Sequence, residues 1–412
     1  MKRNTILMLA ITSAFSSQQV VAAQPTVEEK LEIMQQEIDA LKAQSKNSST
    51  GHSTTGHGGS GKTTIGGYGE VVYNNYSDGR KKNEADLKRF ILYFGHKFSD
   101  RVKLVSELEV EHAKADKEGG EVAMEQAYIQ YGLSDTMNTR MGLMLMPMGI
   151  VNETHEPVTF YGVERNEVET RIIPSTWREI GVALQGEAGE GLEYNFGIST
   201  TPDASRFGSS SASKGFRDMR TSGRQVAAND LGLFGALNFR GVPGLLVGAS
   251  IFSGNTAQDG NGGTPKAALV GADAKLTLWD VHAKYTLGAL DLQALYAKGK
   301  LSDTAQINAA ASLATGSNKA APESFYGWYG QAGYRVWQDG DKDVTPFVRY
   351  ERYNTQESVA AGYTTDPLND ETVTTAGVNF RLHPQVVLKA DIQNYKADNL
   401  KDRFNLGVGY MF

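Results

Sequence analysis

Charged residues recur at every second position in parts of this 412-residue chain. Between residues 102 and 111, Glu107, Glu109 and Glu111 alternate with apolar side chains. Side chains two positions apart on a strand project from the same face, so these three carboxylates would share one face of a sheet. Such a row can orient polar solutes where its face meets water. We therefore look for the function on a polar, hydrated face.

Residues 56–63 read Gly-His-Gly-Gly-Ser-Gly-Lys-Thr, which matches the phosphate-binding loop of nucleotide-binding proteins letter for letter. That loop must follow a buried strand and open a helix whose amino terminus faces the phosphates. Here a polar segment precedes the match and a strand-like segment, 64–73, follows it. We therefore reject nucleotide binding. His52 and His57 in the same segment could hold a metal weakly, but an unconstrained linker is the simpler interpretation.

Hydrolytic chemistry would require a Ser or Thr nucleophile beside a histidine base. The histidines beyond residue 63 have no such nucleophile at a suggestive spacing, so we expect neither an enzyme nor a cofactor. The acidic net charge of −6, which becomes −8 once Lys2 and Arg3 are removed, also argues against nucleic-acid binding. The histidines in question are His96, His112, His155, His282 and His383.

From residue 64 onward the two-residue alternation recurs in sixteen strand-length segments. Short turns and longer polar loops connect them in alternation, which predicts an all-β transmembrane barrel of sixteen antiparallel strands, with turns at one rim and loops at the other. The strands are predicted near 64–77, 86–98, 101–113, 121–133, 138–147, 177–187, 191–200, 228–240, 244–254, 269–287, 290–299, 324–337, 343–355, 370–383, 385–397 and 402–412.

The last nine residues, 404–412, place apolar or aromatic side chains at every second position and end on Phe412. This pattern is typical of bacterial outer-membrane barrels, in which the barrel-assembly machinery reads the terminal strand. We expect that strand to close the barrel. No segment after residue 23 approaches the roughly 18 to 20 consecutive apolar residues of a spanning helix, so insertion must use strands.

The amino-terminal region predicts export. Residues 1–23 resemble a secretory signal peptide, with a charged start, an apolar stretch and a small-residue cleavage site ending at Ala23. Residues 24–44 predict a short periplasmic helix with a heptad seam, either a coiled coil between subunits or a single amphipathic helix packed on something else. Residues 45–63 predict a flexible linker before a barrel at 64–412. The chain has no cysteine.

Several segments of the chain carry a likeness to one known family as a set. They are Gly66–Glu70, Gly142–Gly149, Glu164–Val168, Ile173–Pro174, Trp177–Val182, Gly327–Tyr329 and Pro346–Glu351. Together they resemble the phosphate-selective porin O/P family of Gram-negative bacteria. The resemblance implies a trimeric sixteen-stranded porin of the outer membrane whose third extracellular loop, here 148–176, folds into the lumen. Its partners would be outer-membrane lipid and lipopolysaccharide.

The predicted lumen is mixed in sign, because acidic and basic residues both fall on inward positions. An acidic stripe facing a basic stripe would create a transverse field that orients polar solutes. A salt-bridged wall that only stiffens the barrel is the alternative for each residue. The candidate constriction and lining residues are Arg89, Lys103, Glu107, Glu109, Glu111, Arg140, Glu164, Arg165, Glu167, Glu169, Arg171, Arg349 and Arg381.

The basic loop 201–227 has three open interpretations: a vestibule for anions, a contact for lipopolysaccharide phosphates, or a contact for a neighbouring subunit. For the whole chain we expect passive diffusion of small hydrophilic solutes, with anions such as phosphate as one candidate. The alternative is a barrel that anchors the periplasmic helix and has no open pore.

Overall fold

The computed structural model describes residues 62–116, 119–258 and 266–412. The predicted signal peptide 1–23, the predicted helix 24–44 and nearly all of the predicted linker 45–63 lie outside these residues. None of the helices in the described ranges is long and apolar enough to cross a membrane.

The described residues form one antiparallel sheet of seventeen strand segments. The short β13 continues β12 along the same neighbour, β14, so the wall contains sixteen strands. The segments are β1 (Thr63–Tyr76), β2 (Glu84–Lys97), β3 (Val102–Glu111), β4 (Val122–Gly132), β5 (Met137–Leu145), β6 (Arg178–Glu187), β7 (Leu192–Ser199), β8 (Gly232–Phe239), β9 (Leu245–Gly254), β10 (Leu276–Leu287), β11 (Leu290–Leu301), β12 (Pro322–Tyr334), β13 (Trp337–Asp339), β14 (Lys342–Val359), β15 (Asp370–His383), β16 (Val386–Tyr395) and β17 (Arg403–Met411). Two short helices, α1 (Val168–Arg171) and α2 (Thr304–Ala310), lie in the loops.

The first and last strands close the sheet on itself. β1 pairs with β17 from Tyr68 opposite Met411 onward, and the amides of Gly67 and Phe412 each donate to the other's carbonyl, at 2.9 and 2.8 Å. On the same seam, a Cβ at Gly69 would lie 2.5 Å from the hydroxyl of Tyr410, so a larger residue there would force that ring to move. The predicted closed barrel of sixteen antiparallel strands is confirmed.

The two rims of the barrel differ as predicted. The connections after β2, β4, β6, β8, β10, β13 and β15 span two to five residues, whereas those at the opposite rim span seven to thirty-two. The tenth strand was expected over 269–287 but begins at Leu276, because the chain takes left-handed conformations at Gly271 (φ 77°) and Ala274 (φ 47°) before it enters the sheet.

Alternation correctly assigned the outward face. Phe94, Val182 and Val348 expose 44, 53 and 58% of their surface on the outside of the barrel, as a wall that meets lipid requires. Glu107 and Glu109 lie buried on the inward face.

The inward face is not uniformly polar, although the alternation predicted a water-facing lining. Leu276 and Leu278 point inward from β10 and are fully buried, in a cluster that also includes Trp177. The Trp177 ring packs edge-on against Phe216 and Phe252, with centroids 5.1 and 4.8 Å apart. The long loops thus bury apolar side chains against one part of the inner wall, and the polar lining is confined to the rest.

Replacing Trp177 with alanine should lower the free energy of unfolding by about 3–5 kcal/mol, because the cavity would lie at the centre of this cluster. Urea titration of the folded barrel in detergent measures the change. Trp337→Ala is the matched control, since Trp337 exposes 45% of its surface and little change is expected. Equal losses in the two variants would contradict a packed core inside the barrel.

Candidate pore constriction

The segment between β5 and β6, residues 146–177, is tied to wall strands from distant parts of the sheet. The amide of Gly149 donates to the Asp280 carboxylate on β10 at 3.0 Å. The amide of Val163 donates to the Asp391 carboxylate on β16 at 2.6 Å. Because both carboxylates face inward, this segment lies inside the barrel and narrows it.

Two wall cations hold carbonyl groups in the middle of the segment. Lys389 donates to the carbonyls of Phe160 and Gly162 at 2.9 and 2.8 Å. Arg349 donates to the carbonyl of Tyr161 at 3.2 Å. A backbone turn inside a barrel loses its hydration, and these charge-assisted bonds replace it. Arg349, predicted as lining, is thus a loop anchor.

Glu169, at helix α1, organises the start of the segment. Its carboxylate accepts hydrogen bonds from the amides of Ile150 and Val151 at 2.7 and 2.6 Å, and from the hydroxyl of Tyr329 at 2.7 Å. The side chain is fully buried. Glu169 therefore fastens the loop to itself and to β12 and does not face a passage.

Two other predicted acids of the segment form ion pairs with basic groups. Glu164 pairs with Lys88 on β2. Glu167 pairs with Arg171 and accepts a hydrogen bond from the hydroxyl of Tyr395 at 2.7 Å. Burial alone would raise the pKa of each carboxyl, but the adjacent positive charges lower both values to about 2.

On the wall, the predicted acidic row is partly neutralised. Arg89 lies 2.9 Å from Glu70 and 3.8 Å from Glu109. Glu111 and Lys103 are half-buried near opposite ends of β3. The row therefore presents less net charge than its sequence indicates.

Two further predicted lining residues are also ion-paired. Arg140 lies 3.5 Å from Glu153 of the loop, and its guanidinium stacks over the ring of Tyr128. Arg381 lies 3.1 Å from Asp343 on the neighbouring strand. For these arginines the interpretation as a salt-bridged wall is the better one.

Glu107 belongs to a buried cluster that the sequence did not reveal. His155 of the loop places Nε2 3.2 Å from Glu125 and 3.6 Å from Glu107. Its Nδ1 bonds the carbonyl of Asn152 at 3.0 Å, and Gln126 donates to the second oxygen of Glu107 at 2.7 Å. Burial by itself would lower the pKa of His155, but the two carboxylates raise it to about 10.

The location of Glu125 could not be derived from alternation. Gln126 pairs with Glu107, whereas Met124 pairs with Leu108, so a β-bulge holds Glu125 between them. The bulge places Glu125 and its neighbour Gln126 both on the inward face, and a strict two-residue rhythm can assign only one of the two to it. Lys389 and Asp391, in contrast, alternate plainly on β16: the alternation predicts the inward position of Lys389, and the same rhythm places Asp391 beside it.

The loop 201–227 lies on the inward-folded segment. Arg217 donates to the carbonyls of Thr170 and Ser175 at 3.2 and 3.0 Å. Arg220 donates to the carbonyl of Pro174 at 3.0 Å. Burial and the neighbouring guanidinium groups lower the pKa of Arg220 to about 9, which indicates a basic cluster at this junction.

Arg165 also bonds a neutral acceptor, the carbonyl of His155, at 3.1 Å. The electrostatic effects of Arg165 and Arg171 reach Arg217 and help to lower its pKa, after burial as the first cause. The arginines among the predicted site residues are therefore of two kinds. Arg165 joins a group of guanidiniums bonded to uncharged carbonyls. Those paired with carboxylates are Arg89, Arg140, Arg171, Arg349 and Arg381.

A serine, an aspartate and a histidine also meet on the inward wall. Both Ser250 and His282 bond the carboxylate of Asp280, the histidine through Nδ1 at 2.7 Å, and its Nε2 contacts Asn238 at 3.0 Å. Both ring nitrogens of His282 are thus bonded, one to Asp280 and the other to Asn238. Because Asp280 also accepts the amide of Gly149, this cluster ties the inward-folded segment to the wall.

A sixteen-stranded barrel of this kind, narrowed by its own loop, defines the class of outer-membrane porins. Within that class the chain belongs to the family described as phosphate-selective porin O and P, whose model matches residues 66–389. The family and outer-membrane location inferred from the sequence are confirmed.

The chain is similar to a protein of Aquifex aeolicus strain VF5, with 33% identity over 359 residues covering 85% of this chain and 80% of that protein. Two solved structures share the fold. Salmonella typhi OmpF in complex with daunomycin has 13% identity and a TM-score of 0.58, and covers 85% of this chain and 98% of its own. The anion-selective porin from Comamonas acidovorans has 12% identity and a TM-score of 0.52, over 85 and 99%.

The ion pairs of Glu164 and Glu167 predict a loss of stability in acid. Each carboxyl titrates near 2 in the folded protein and near 4.3 when unfolded, so its stabilisation is present above about pH 4.3 and disappears as the pH falls through about 2. The effect is on the order of 3 kcal/mol per group. The urea concentration at the midpoint of unfolding should fall as the pH is lowered through this window. In the double variant Glu164→Gln/Glu167→Gln it should depend less on pH.

The control for that titration is Glu193→Gln, which removes a carboxylate from an exposed pair with Arg240. Its pH profile should follow that of the wild type. Parallel profiles for all three proteins would show that the two loop carboxyls have ordinary pKa values.

Proposed function

We propose that this porin allows passive diffusion of small hydrophilic solutes and favours anions, with phosphate among the candidates. The observation that carries the proposal is the group of Arg165, Arg217 and Arg220 beside the inward-folded segment. All three donate to neutral carbonyl oxygens, so their charges are not cancelled by those bonds. A low-dielectric wall strengthens the field of such charges and concentrates anions near them.

The acidic residues of the inward-folded segment support the proposed preference for anions. Glu164, Glu167 and Glu169 are engaged with a lysine, an arginine and backbone amides respectively. The negative charges of Glu164 and Glu167 are compensated by those cations. Glu169 bonds only uncharged groups, so three arginines stand against one such carboxylate among these residues. The Comamonas acidovorans porin, whose fold is similar, is described as anion-selective, and that description is compatible with the proposal.

The rest of the cellular setting is part of the same proposal. Residues 1–23 would be removed on export, and 24–44 would form a helix in the periplasm, joined by the linker 45–63 to the barrel. Phe412 would present the last strand to the barrel-assembly machinery. The mature protein would assemble as a homotrimer among lipid and lipopolysaccharide.

Planar-bilayer recordings distinguish this proposal from a barrel that only anchors the periplasmic helix. A diffusion porin should give large, stepwise conductance increases, and a trimer should close in three equal steps. Complete absence of steps from protein shown to be folded by its heat-modifiable gel mobility would favour the anchor.

Selectivity has its own test in the reversal potential across a salt gradient. Replacing Arg165, Arg217 and Arg220 with glutamine should shift permeability toward cations, because the positive excess disappears. A second variant replaces Arg140, Arg165 and Arg171, three of the residues that the sequence predicts to line the pore, with glutamine. It should have the smaller effect, because Arg140 and Arg171 already face carboxylates.

The control for selectivity is Arg80→Gln with Arg240→Gln, which removes two arginines from exposed pairs. Its reversal potential should equal that of the wild type. An unchanged reversal potential in the Arg165, Arg217 and Arg220 variant would remove the arginine group from the permeation path.

A further inference from the structure

Glu107, Glu125 and His155 bring three metal-ligating atoms within 4.8 Å of one another inside the barrel. The three side chains come from β3, β4 and the inward-folded segment, and at most 2% of any of them is exposed. We propose that they form a binding site for a divalent transition-metal ion, with Zn²⁺ as its representative. The bound ion would cross-link the inward-folded segment to the barrel wall.

The spacing of the ligand atoms fits such an ion. With bonds of about 2.0–2.2 Å, tetrahedral zinc holds neighbouring ligand atoms roughly 3.3–3.5 Å apart. The Nε2 atom of His155 lies 3.2 Å from Glu125 and 3.6 Å from Glu107. The remaining two atoms, one oxygen of each carboxylate, lie within 4.8 Å of each other, so the carboxylates would close together around a bound ion.

The second atoms of His155 and Glu107 are hydrogen-bonded to other groups, as is usual around protein-bound metals. The Nδ1 atom of His155 bonds the Asn152 carbonyl, which directs Nε2 toward the carboxylates. Gln126 donates to the far oxygen of Glu107 at 2.7 Å. Arg178 lies 3.5 Å from the far oxygen of Glu125.

Buried polar groups without hydrogen-bond partners are independent evidence that the cluster can hold a further ligand. The Oε1 atom of Glu107, which faces His155, is buried and has no hydrogen-bond partner within the described ranges. The Tyr68 hydroxyl is also fully buried and unpartnered among the described residues. Its ring lies edge-on to His155 with centroids 5.9 Å apart, and Glu125 and Glu107 are the carboxylates that act on it most strongly.

An ion at this place would satisfy these groups. Two carboxylates and a neutral imidazole supply three ligands and balance a charge of +2, and Tyr68 or a water that it holds supplies the fourth. Because the imidazole must be neutral to bind, uptake releases the proton that otherwise bridges His155 and its carboxylates. A proton-bridged cluster without metal is the competing outcome.

Equilibrium dialysis of the full mature protein, folded in detergent and stripped with a chelator, tests the site with Zn²⁺ alone. One Zn²⁺ per chain should bind tightly, and Mg²⁺ at the same concentration should not displace it, because an imidazole ligand favours transition metals. Both His155→Ala and Glu125→Gln should weaken binding at least tenfold. The second variant preserves side-chain size should the first fail to fold.

Two controls separate this site from adventitious histidines. His112→Ala removes an exposed imidazole that also faces a carboxylate, Asp86 at 2.7 Å, and should bind Zn²⁺ as the wild type does. His52→Ala/His57→Ala removes the histidines that precede the barrel and should do the same. Loss of binding in either control, or unchanged stoichiometry in both His155→Ala and Glu125→Gln, would overturn the proposal.

Thermal unfolding and spectroscopy supply readouts that are independent of transport. Zn²⁺ should raise the temperature at which gel mobility reports unfolding in the wild type, and not in His155→Ala. Co²⁺ in place of Zn²⁺ should give the strong visible absorption of a four-coordinate site. Absence of bound metal in the wild type would leave a proton-bridged cluster and refute the site without affecting the porin assignment.

Discussion

The structure depends on the satisfaction of peptide groups inside a barrel. The segment between β5 and β6 leaves the rim and enters the lumen, where its amides and carbonyls lose part of their hydration. Inward charges replace that water: Asp280 and Asp391 accept from amides, and Lys389 donates to carbonyls. Each bond joins a charged side chain to the backbone, which is stronger than a bond between neutral groups. The main role of these wall charges is therefore to hold the loop in place, and their effect on solutes is secondary.

This arrangement explains why charge in the sequence was a poor guide to charge in the pore. Of the basic residues predicted to line the pore, Arg349 bonds a carbonyl of the loop. Arg89 and Arg140 form ion pairs with neighbouring carboxylates. The uncompensated charge lies instead on Arg217 and Arg220, in a loop that the sequence left open among three roles. Whether a guanidinium meets a carboxylate or a carbonyl depends on loop conformation, which spacing along the chain does not encode.

The strand pattern was predictable because a barrel wall obeys a period of two residues over its whole height. The strand count, the two unlike rims and the inward position of Glu107 and Glu109 all follow from that rhythm. The rhythm fails where local geometry departs from it. The rhythm does not reveal the bulge that places both Glu125 and Gln126 inward. It does not reveal the apolar inner face at Leu276 and Leu278 either, which packs against loops and not against water.

The seam between β1 and β17 has a consequence for biogenesis. The outer surface of the first strand is incomplete by itself, because the space above Gly67 and Gly69 is occupied by rings from residues 412 and 410. The lipid-facing surface at this seam is therefore complete only when β1 and β17 have paired. An intermediate in which these two strands are apart leaves the outward face of β1 bare at both glycines, so closure of the barrel and completion of its apolar exterior are one event.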